Sequence, residues 1–81
     1  PQAAARFEIA VDKSGNMYVS GSRVSNAQLQ QVLAERLRVN PDMFVIVKAD
    51  KEVRYEYVVN ALDQVRSVGG YRLGLAVEQD R

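Results

Sequence analysis

The chain of 81 residues contains no cysteine, no histidine and no tryptophan. Without cysteine and histidine, the chain has no thiol nucleophile, no Cys/His zinc site and no imidazole for acid–base catalysis. Ten acidic and eleven basic residues are interspersed without a block of one sign, which argues against a nucleic-acid groove. No apolar run approaches the roughly 20 residues of a membrane span. We therefore expect neither an enzyme nor a cofactor or metal site.

What the sequence does contain is the pattern of one small mixed domain. Large apolar residues at every second position predict a strand over 7–12. Residues 13–16 supply the glycine and asparagine of a tight turn. A second strand over 17–20 then completes a hairpin, which we expect Gly21 and Ser22 to end.

Two helices are predicted from apolar residues at spacings of three and four. Ser25 followed by Gln28 matches a capping box, so the first helix should run over 26–38. Pro41 follows it as a helix breaker. The apolar run over 43–47 does not alternate, which is typical of a central strand covered on both faces.

The second half of the chain repeats the order of helix and strand. A polar turn over 49–52 precedes an apolar helical stripe that begins around 54–57. Gly69 and Gly70 suit a left-handed cap, and a last alternating strand is expected over 71–77. The predicted fold is an α+β two-layer sandwich of order β-β-α-β-α-β, with a mixed four- to five-stranded sheet and two helices on one face.

Two surfaces of this fold are predicted contact sites. With both helices on one side, the other side of the sheet is uncovered, and a flat apolar face there would suit a homodimer. The residues expected on it are Ala10, Tyr18, Gly74 and Ala76. An edge strand could also accept an extended partner segment. The edge residues expected to bind it are Phe7, Ile9 and Val11 in the first strand, or Leu73, Leu75 and Val77 in the last.

Polar and aromatic residues that could carry chemistry have simpler explanations. Asp50 follows the central strand, where α/β proteins place functional carboxylates, but an Asx turn or a helix cap explains it better. The tyrosines could stack on a sugar or a nucleic acid, but half-buried packing is the stronger interpretation because no basic cluster surrounds them. They are Tyr18, Tyr55, Tyr57 and Tyr71.

One block of the sequence resembles a known family. It runs over 45–63 and contains Ala49-Asp50-Lys51, then Val53 and Tyr55. This block, followed by Gly69-Gly70 and an alternating apolar strand, is similar to the ADK-x-V-x-Y block of the ExbD/TolR family. The likeness covers nearly all of the expected domain.

The resemblance implies the periplasmic domain of a single-pass protein of the bacterial inner membrane. Family members work with a proton-channel subunit of the ExbB/TolQ kind and use the proton-motive force to drive an energy transducer of the TonB or TolA kind. The family's proton-carrying aspartate lies in the membrane helix, so no residue here inherits that role. Residues 1–6 are then expected to be a linker from that helix, 7–78 the globular domain and 79–81 a tail.

The resemblance leaves two branches open. Ala49-Asp50-Lys51 resembles ExbD members more than TolR members, which favours transport of the iron-siderophore type. The alternative is a TolR-like, peptidoglycan-binding domain of the Tol-Pal envelope system. The resemblance also implies a homodimer, with binding of the transducer's periplasmic segment or of peptidoglycan.

Overall fold

The computed structural model describes residues 6–78, in which two helices cover one side of a five-stranded sheet. The elements are β1 (Arg6–Val11), β2 (Met17–Val19), β3 (Ser22–Val24), α1 (Asn26–Val39), β4 (Phe44–Asp50), α2 (Tyr55–Ser67) and β5 (Arg72–Glu78). The strand order is β3-β2-β1-β4-β5, with β1, β4 and β5 parallel and β2 antiparallel to both of its neighbours. The predicted α+β fold is confirmed, with one strand more than the predicted order contained.

The additional strand is β3, which the sequence pattern did not indicate. Ser20 and Gly21 form a two-residue turn with φ of 52° and 82°. Positive φ at both central positions is the geometry that joins antiparallel strands most tightly. The chain therefore reverses after Val19, and Ser22 begins β3 opposite it. The expectation that Gly21 and Ser22 end the first hairpin is confirmed in that β2 stops at Val19, but the chain turns at Ser20 and Gly21 into a second hairpin that the sequence pattern does not predict.

β1 lies inside the sheet and does not form an edge. It pairs with β2 through the first hairpin and with β4 on its other side. Its core-facing side chains, Phe7, Ile9 and Val11, are buried against the helices. The prediction that these three residues form a partner-binding edge is therefore wrong, because β4 returns from α1 and occupies the free side of β1. The edges of the described sheet are β3 and β5.

β4 is longer than predicted and is covered on only one side. It continues through Asp50 because Lys48, Ala49 and Asp50 pair with the last three residues of β5. Val45 and Val47 are buried, whereas Phe44, Ile46 and the other alternating residues remain half-buried on the side away from the helices. The expectation of a central strand covered on both faces is thus wrong, and β1 occupies the middle position.

The two helices begin and end where local sequence signals place them. The Ser25 hydroxyl accepts a hydrogen bond from the Gln28 amide at 3.1 Å, and the Gln28 side chain accepts one from the Ser25 amide at 2.8 Å, so the capping box is confirmed. After α2, Gly69 adopts a φ of 97°, and the Gly70 amide donates to the Val65 carbonyl at 3.0 Å. This is the left-handed ending that two glycines allow.

The core lies between the helices and one face of the sheet. Each helix contributes a stripe of buried side chains, which are Leu29, Leu33 and Leu37 from α1 and Val58, Ala61 and Val65 from α2. Across the outer seam, Asn26 and Asn60 exchange hydrogen bonds, and Gln30 donates to Gln64. These hydrogen bonds hold the two helices side by side over the sheet.

The boundary of the domain differs by one residue from the predicted one. Arg6 begins β1, so it belongs to the domain and not to a linker. The remaining predicted linker and tail residues, 1–5 and 79–81, lie outside the described residues.

Candidate interaction surface

The side of the sheet away from the helices, here called the open face, is mixed in character. Ala10, Tyr18, Gly74 and Ala76 all lie on it, as the strand registers show. Lys48 and Glu8 also lie there, with the Lys48 ammonium 3.4 Å from a Glu8 carboxylate oxygen. The expectation of a flat apolar face is therefore wrong, because the alternation of β1 and β4 turns charged residues outward.

The charges on the open face differ between its two ends. Arg6 and Arg72 stand where the parallel strands begin, and the Arg72 guanidinium lies 6.0 Å from the centre of the Phe44 ring. Asp50 and Glu78 are paired neighbours where β4 and β5 end. Near that acidic end is a depression of about 580 Å³, whose charged lining residues are Glu8, Lys48, Asp50 and Glu78. Three carboxylates and one ammonium make this end net negative.

β5 is the long edge of the sheet. It contains seven residues, whereas β3 at the opposite edge contains three. An edge strand leaves one row of amide and carbonyl groups without partners in the sheet, and proteins usually protect such edges with proline, bulges or inward charges. The registered pairing of β5 with β4 is continuous from Arg72 to Glu78, and the strand contains no proline. Within residues 6–78, no strand covers the outer edge of β5.

A groove runs beside β5 on the helix side of the sheet. It has a volume of about 180 Å³, and we call it the β5 groove. Its lining residues are Ala49, Asp50, Lys51, Val53, Tyr55, Val58, Leu75 and Val77. Tyr55 is 76% exposed, Leu75 50% and Val77 53%. Leu75 and Val77 are uncovered because β5 is an edge of the described sheet and α2 packs mainly over β4 and β1, lining the groove through Tyr55 and Val58.

Asp50 is explained by the turn after β4. Its carboxylate accepts a hydrogen bond from the Glu52 amide at 2.8 Å, and its carbonyl accepts one from the Val53 amide at 3.0 Å. This is the Asx turn that the sequence indicated. Asp50 is not the helix cap, because Arg54 occupies that position. The turn carries the chain from the end of β4 into the wall of the β5 groove.

A second carboxylate, Asp12, organises the first hairpin. It accepts hydrogen bonds from the amides of Ser14 and Asn16 at 3.0 and 2.9 Å, from the Asn16 side chain at 3.1 Å and from the Tyr18 hydroxyl at 3.1 Å. Desolvation raises the pKa of Asp12, but these hydrogen bonds together outweigh it and lower the pKa below its usual range. The hydrogen bond to Asp12 raises the pKa of Tyr18. Tyr18 is thus held by the hairpin.

The four tyrosines are dispersed over the domain. Tyr57 packs against Gly15, Tyr55 lines the β5 groove and Tyr18 lies on the open face. The Tyr71 hydroxyl donates to the Asp42 carboxylate at 2.5 Å, which raises the pKa of Tyr71. The four tyrosines therefore form no common stacking platform.

Within residues 6–78, no three His, Cys, Asp or Glu side chains are grouped to hold a metal ion. Neither of the two described helices is long and apolar enough to cross a membrane.

Comparison with known proteins identifies the family of this domain. A family model described as "Biopolymer transport protein ExbD/TolR" matches residues 1–80. The chain belongs to the ExbD/TolR family. The predicted family is thereby confirmed. Its members are transport-associated components of energy transduction, and it is not known as a family of enzymes.

Curated relatives within the ExbD/TolR family carry ExbD names. A "Putative biopolymer transport protein ExbD" of Synechocystis sp. is 34% identical over 76 residues, which are 94% of this chain and 28% of the relative. The "Biopolymer transport protein ExbD" of Neisseria gonorrhoeae is 32% identical over 76 residues, which are 89% of this chain and 52% of the relative. This ExbD/TolR chain thus spans about a quarter to a half of the length of these relatives.

The structure brings the family block and the last strand of this ExbD/TolR domain together. Val53 and Tyr55 from the block lie across the β5 groove from Leu75 and Val77. Ala49 is buried and Lys51 is exposed, and both line the same groove. Both sets are predicted from the sequence as separate features, whereas the buried Val58, which also lines the groove, carries no functional signal in the sequence. Only the pairing of β4 with β5 makes them one surface, and no local pattern signals that pairing.

Proposed function

We propose that this ExbD/TolR chain is the periplasmic domain of an inner-membrane ExbD subunit in a complex of the TonB–ExbB–ExbD type. In this role it binds the periplasmic segment of the energy transducer. The observation that carries the proposal is the unprotected edge of β5 beside an exposed apolar groove. The ExbD names of its relatives support this branch.

The proposed binding mode is strand addition at β5. A partner segment in extended conformation pairs its backbone with the free edge, and its alternate side chains lie beside those of β5. On the helix side these neighbours are Leu73, Leu75 and Val77, which face the same way as the buried residues of β4. Backbone pairing supplies affinity, and the groove supplies selectivity for apolar side chains.

In our proposal, the proton-linked parts of the complex lie outside this domain. A transmembrane helix preceding the domain contacts the ExbB/TolQ-like proton channel and carries the proton-linked step. The domain contributes binding in the periplasm and performs no chemistry. In this proposal, the energy of the proton-motive force is transmitted to the transducer because the transducer's periplasmic segment is bound to β5.

The test is a titration of the isotope-labelled chain with synthetic periplasmic segments of a TonB-like and a TolA-like transducer, followed by amide NMR shifts. We expect shifts in β5 and in the residues lining the β5 groove. Val77→Asp should weaken binding because it places a charge in the groove, whereas Val39→Asp should not, since Val39 is an exposed valine at the far end of α1. If neither segment moves the β5 signals, the proposed function is wrong.

A TolR-like, peptidoglycan-binding role is the second candidate. The observation that favours it is a polar depression of about 430 Å³, whose amide and guanidinium lining residues are Asn16, Arg23, Asn26, Gln28 and Asn60. Such groups can hydrogen-bond the acetamido sugars and peptide carboxylates of a cell-wall polymer. Cosedimentation with purified sacculi distinguishes the two roles, because a domain that binds only the transducer stays in the supernatant.

We also propose that a second copy of the domain occupies the open face. Two copies placed face to face with antiparallel strands bring the basic end of one open face, with Arg72, over the acidic end of the other, with Glu78, which is the self-complementarity of a twofold interface. Sedimentation equilibrium tests this proposal. Ala76→Lys on the open face should weaken self-association, whereas the matched Ala34→Lys on exposed α1 should leave it unchanged.

A further inference from the structure

The end of β5 presents different chemistry on its two sides. On the helix side, the exposed Leu75 and Val77 continue into the β5 groove. On the open face, Glu78 stands beside Asp50, with which it is paired in register. A strand added to β5 would meet both sides at once, because successive side chains of a strand point to opposite faces.

The helix side of this edge fits aliphatic side chains. The β5 groove of about 180 Å³ is bounded by the Tyr55 ring and by Val53, and buried Val58 forms part of its lining. A leucine or valine from an added strand would cover Leu75 and Val77, which are otherwise half exposed. Burying such apolar area favours binding because it removes that area from water.

The open side of the same edge fits a cation. Among residues 6–78, Lys48 is the one ammonium lining the depression there, and it lies 3.4 Å from Glu8. Asp50 and Glu78 have no ion pair among the described residues. Like charges directly opposite on neighbouring strands repel one another, and a lysine or arginine on the next strand would relieve that repulsion.

We infer that the segment added to β5 carries aliphatic side chains at alternate positions and a lysine or arginine between them, placed beside Glu78. This inference rests on the proposed function and specifies the partner's chemistry. The aliphatic residues occupy the β5 groove, while the cation lies beside Glu78, on the same face of the sheet as Asp50. The other cation near this edge, Lys51, is exposed and lines the β5 groove on the helix side.

The test uses short acetylated and amidated peptides in which leucine alternates with threonine. In two versions the central threonine is replaced by lysine or by glutamate, and in a third the leucines are replaced by serine. We expect the lysine peptide to bind about two- to fivefold more tightly than the threonine peptide at low salt, and the glutamate peptide to bind more weakly. The serine version should lose binding. In about 1 M salt the lysine preference should disappear.

Two charge reversals locate the effect. Glu78→Lys should remove or reverse the preference for the lysine peptide, whereas Glu35→Lys, at an exposed carboxylate on α1, changes the net charge equally and should leave the preference intact. Equal affinity for the lysine and glutamate peptides would overturn the inference, as would an equal effect of both reversals. If the transducer segment still moves the β5 signals in that case, the proposed function stands. If no peptide and no transducer segment moves them, both are wrong.

Discussion

The ring of Tyr57 in α2 lies directly against the backbone of Gly15 in the turn between β1 and β2. A Cβ atom placed on Gly15 would lie 2.7 Å from the Cδ1 and Cγ atoms of Tyr57. Gly15 also has a φ of 91°, which side-chain-bearing residues rarely adopt. Glycine is thus required at position 15 for two reasons: the turn has a positive φ there, and the hairpin and α2 approach too closely for a Cβ atom.

Gly15→Ala should therefore destabilise the domain more than Gly21→Ala. Both glycines have positive φ, but a Cβ on Gly21 would meet nothing within 4 Å. We expect Gly21→Ala to lower the free energy of unfolding by about 1–2 kcal/mol through its backbone conformation. Gly15→Ala should lower the free energy of unfolding by about 1–3 kcal/mol more than Gly21→Ala does, because its methyl group also overpacks against Tyr57. Urea denaturation measures both, and the additional cost should vanish in a Tyr57→Ala background. Equal costs for the two variants would contradict the Gly15–Tyr57 contact.

The capping box of α1 predicts a defined loss when its hydroxyl is removed. Ser25→Ala should lower the free energy of unfolding by about 0.5–2 kcal/mol, since the Gln28 amide loses its hydrogen-bond acceptor. Gln31→Ala, at an exposed position inside α1, is the control and should be close to neutral. Thermal melts followed by circular dichroism measure both changes. A Ser25→Ala melt that coincides with the wild type would show that the cap does not stabilise α1.

The core predicts a larger effect at Leu33, whose side chain is fully buried between α1 and the sheet. Leu33→Ala should lower the free energy of unfolding by about 2–5 kcal/mol because it removes apolar contacts and leaves a cavity. In so small a domain this change can prevent folding. Val39→Ala removes methyl groups that are 80% exposed and should be nearly neutral. Denaturant midpoints compare the two, and similar midpoints would contradict the position of the core.

The hydrogen bonds of Asp12 predict a loss of stability in acid. Because its pKa is lower in the folded state than the usual value near 3.9, the charged carboxylate stabilises the fold above about pH 4. This contribution is lost as the pH falls through the folded-state pKa. The difference in melting temperature between the wild type and Asp12→Asn should therefore shrink from pH 5 to pH 2. A difference that stays constant over this range would contradict the assignment to Asp12.

Several parts of the fold could be predicted because their signals are local. The Ser25–Gln28 box and the glycines after α2 delimit helices through bonds between near neighbours in the chain. The alternation in β1 was interpreted correctly as a strand with one buried face. β3 escaped prediction because it is only three residues long and lacks a large apolar run, so only its pairing with β2 defines it.

The residues of the candidate site could be predicted from the sequence, but their positions in the sheet relative to one another could not. Leu73, Leu75 and Val77 were predicted to lie on an edge, and β5 is an edge of the described sheet. The same argument failed for β1. Its alternating sequence resembles that of an edge strand, and whether a strand ends up inside a sheet depends on which distant strand returns beside it.

The sequence by itself determined the helices, the turn over 13–16, the turn after β4 and the family of this protein, because each depends on residue types at short, fixed spacings. Only the tertiary structure decided that β5 and not β1 is an edge of the described sheet, and that the family block forms one groove with β5. These features arise from pairing between β4 and β5, which are separated by all of α2. Long-range pairing is selected by the packing of the whole core, and no local spacing in the chain encodes it.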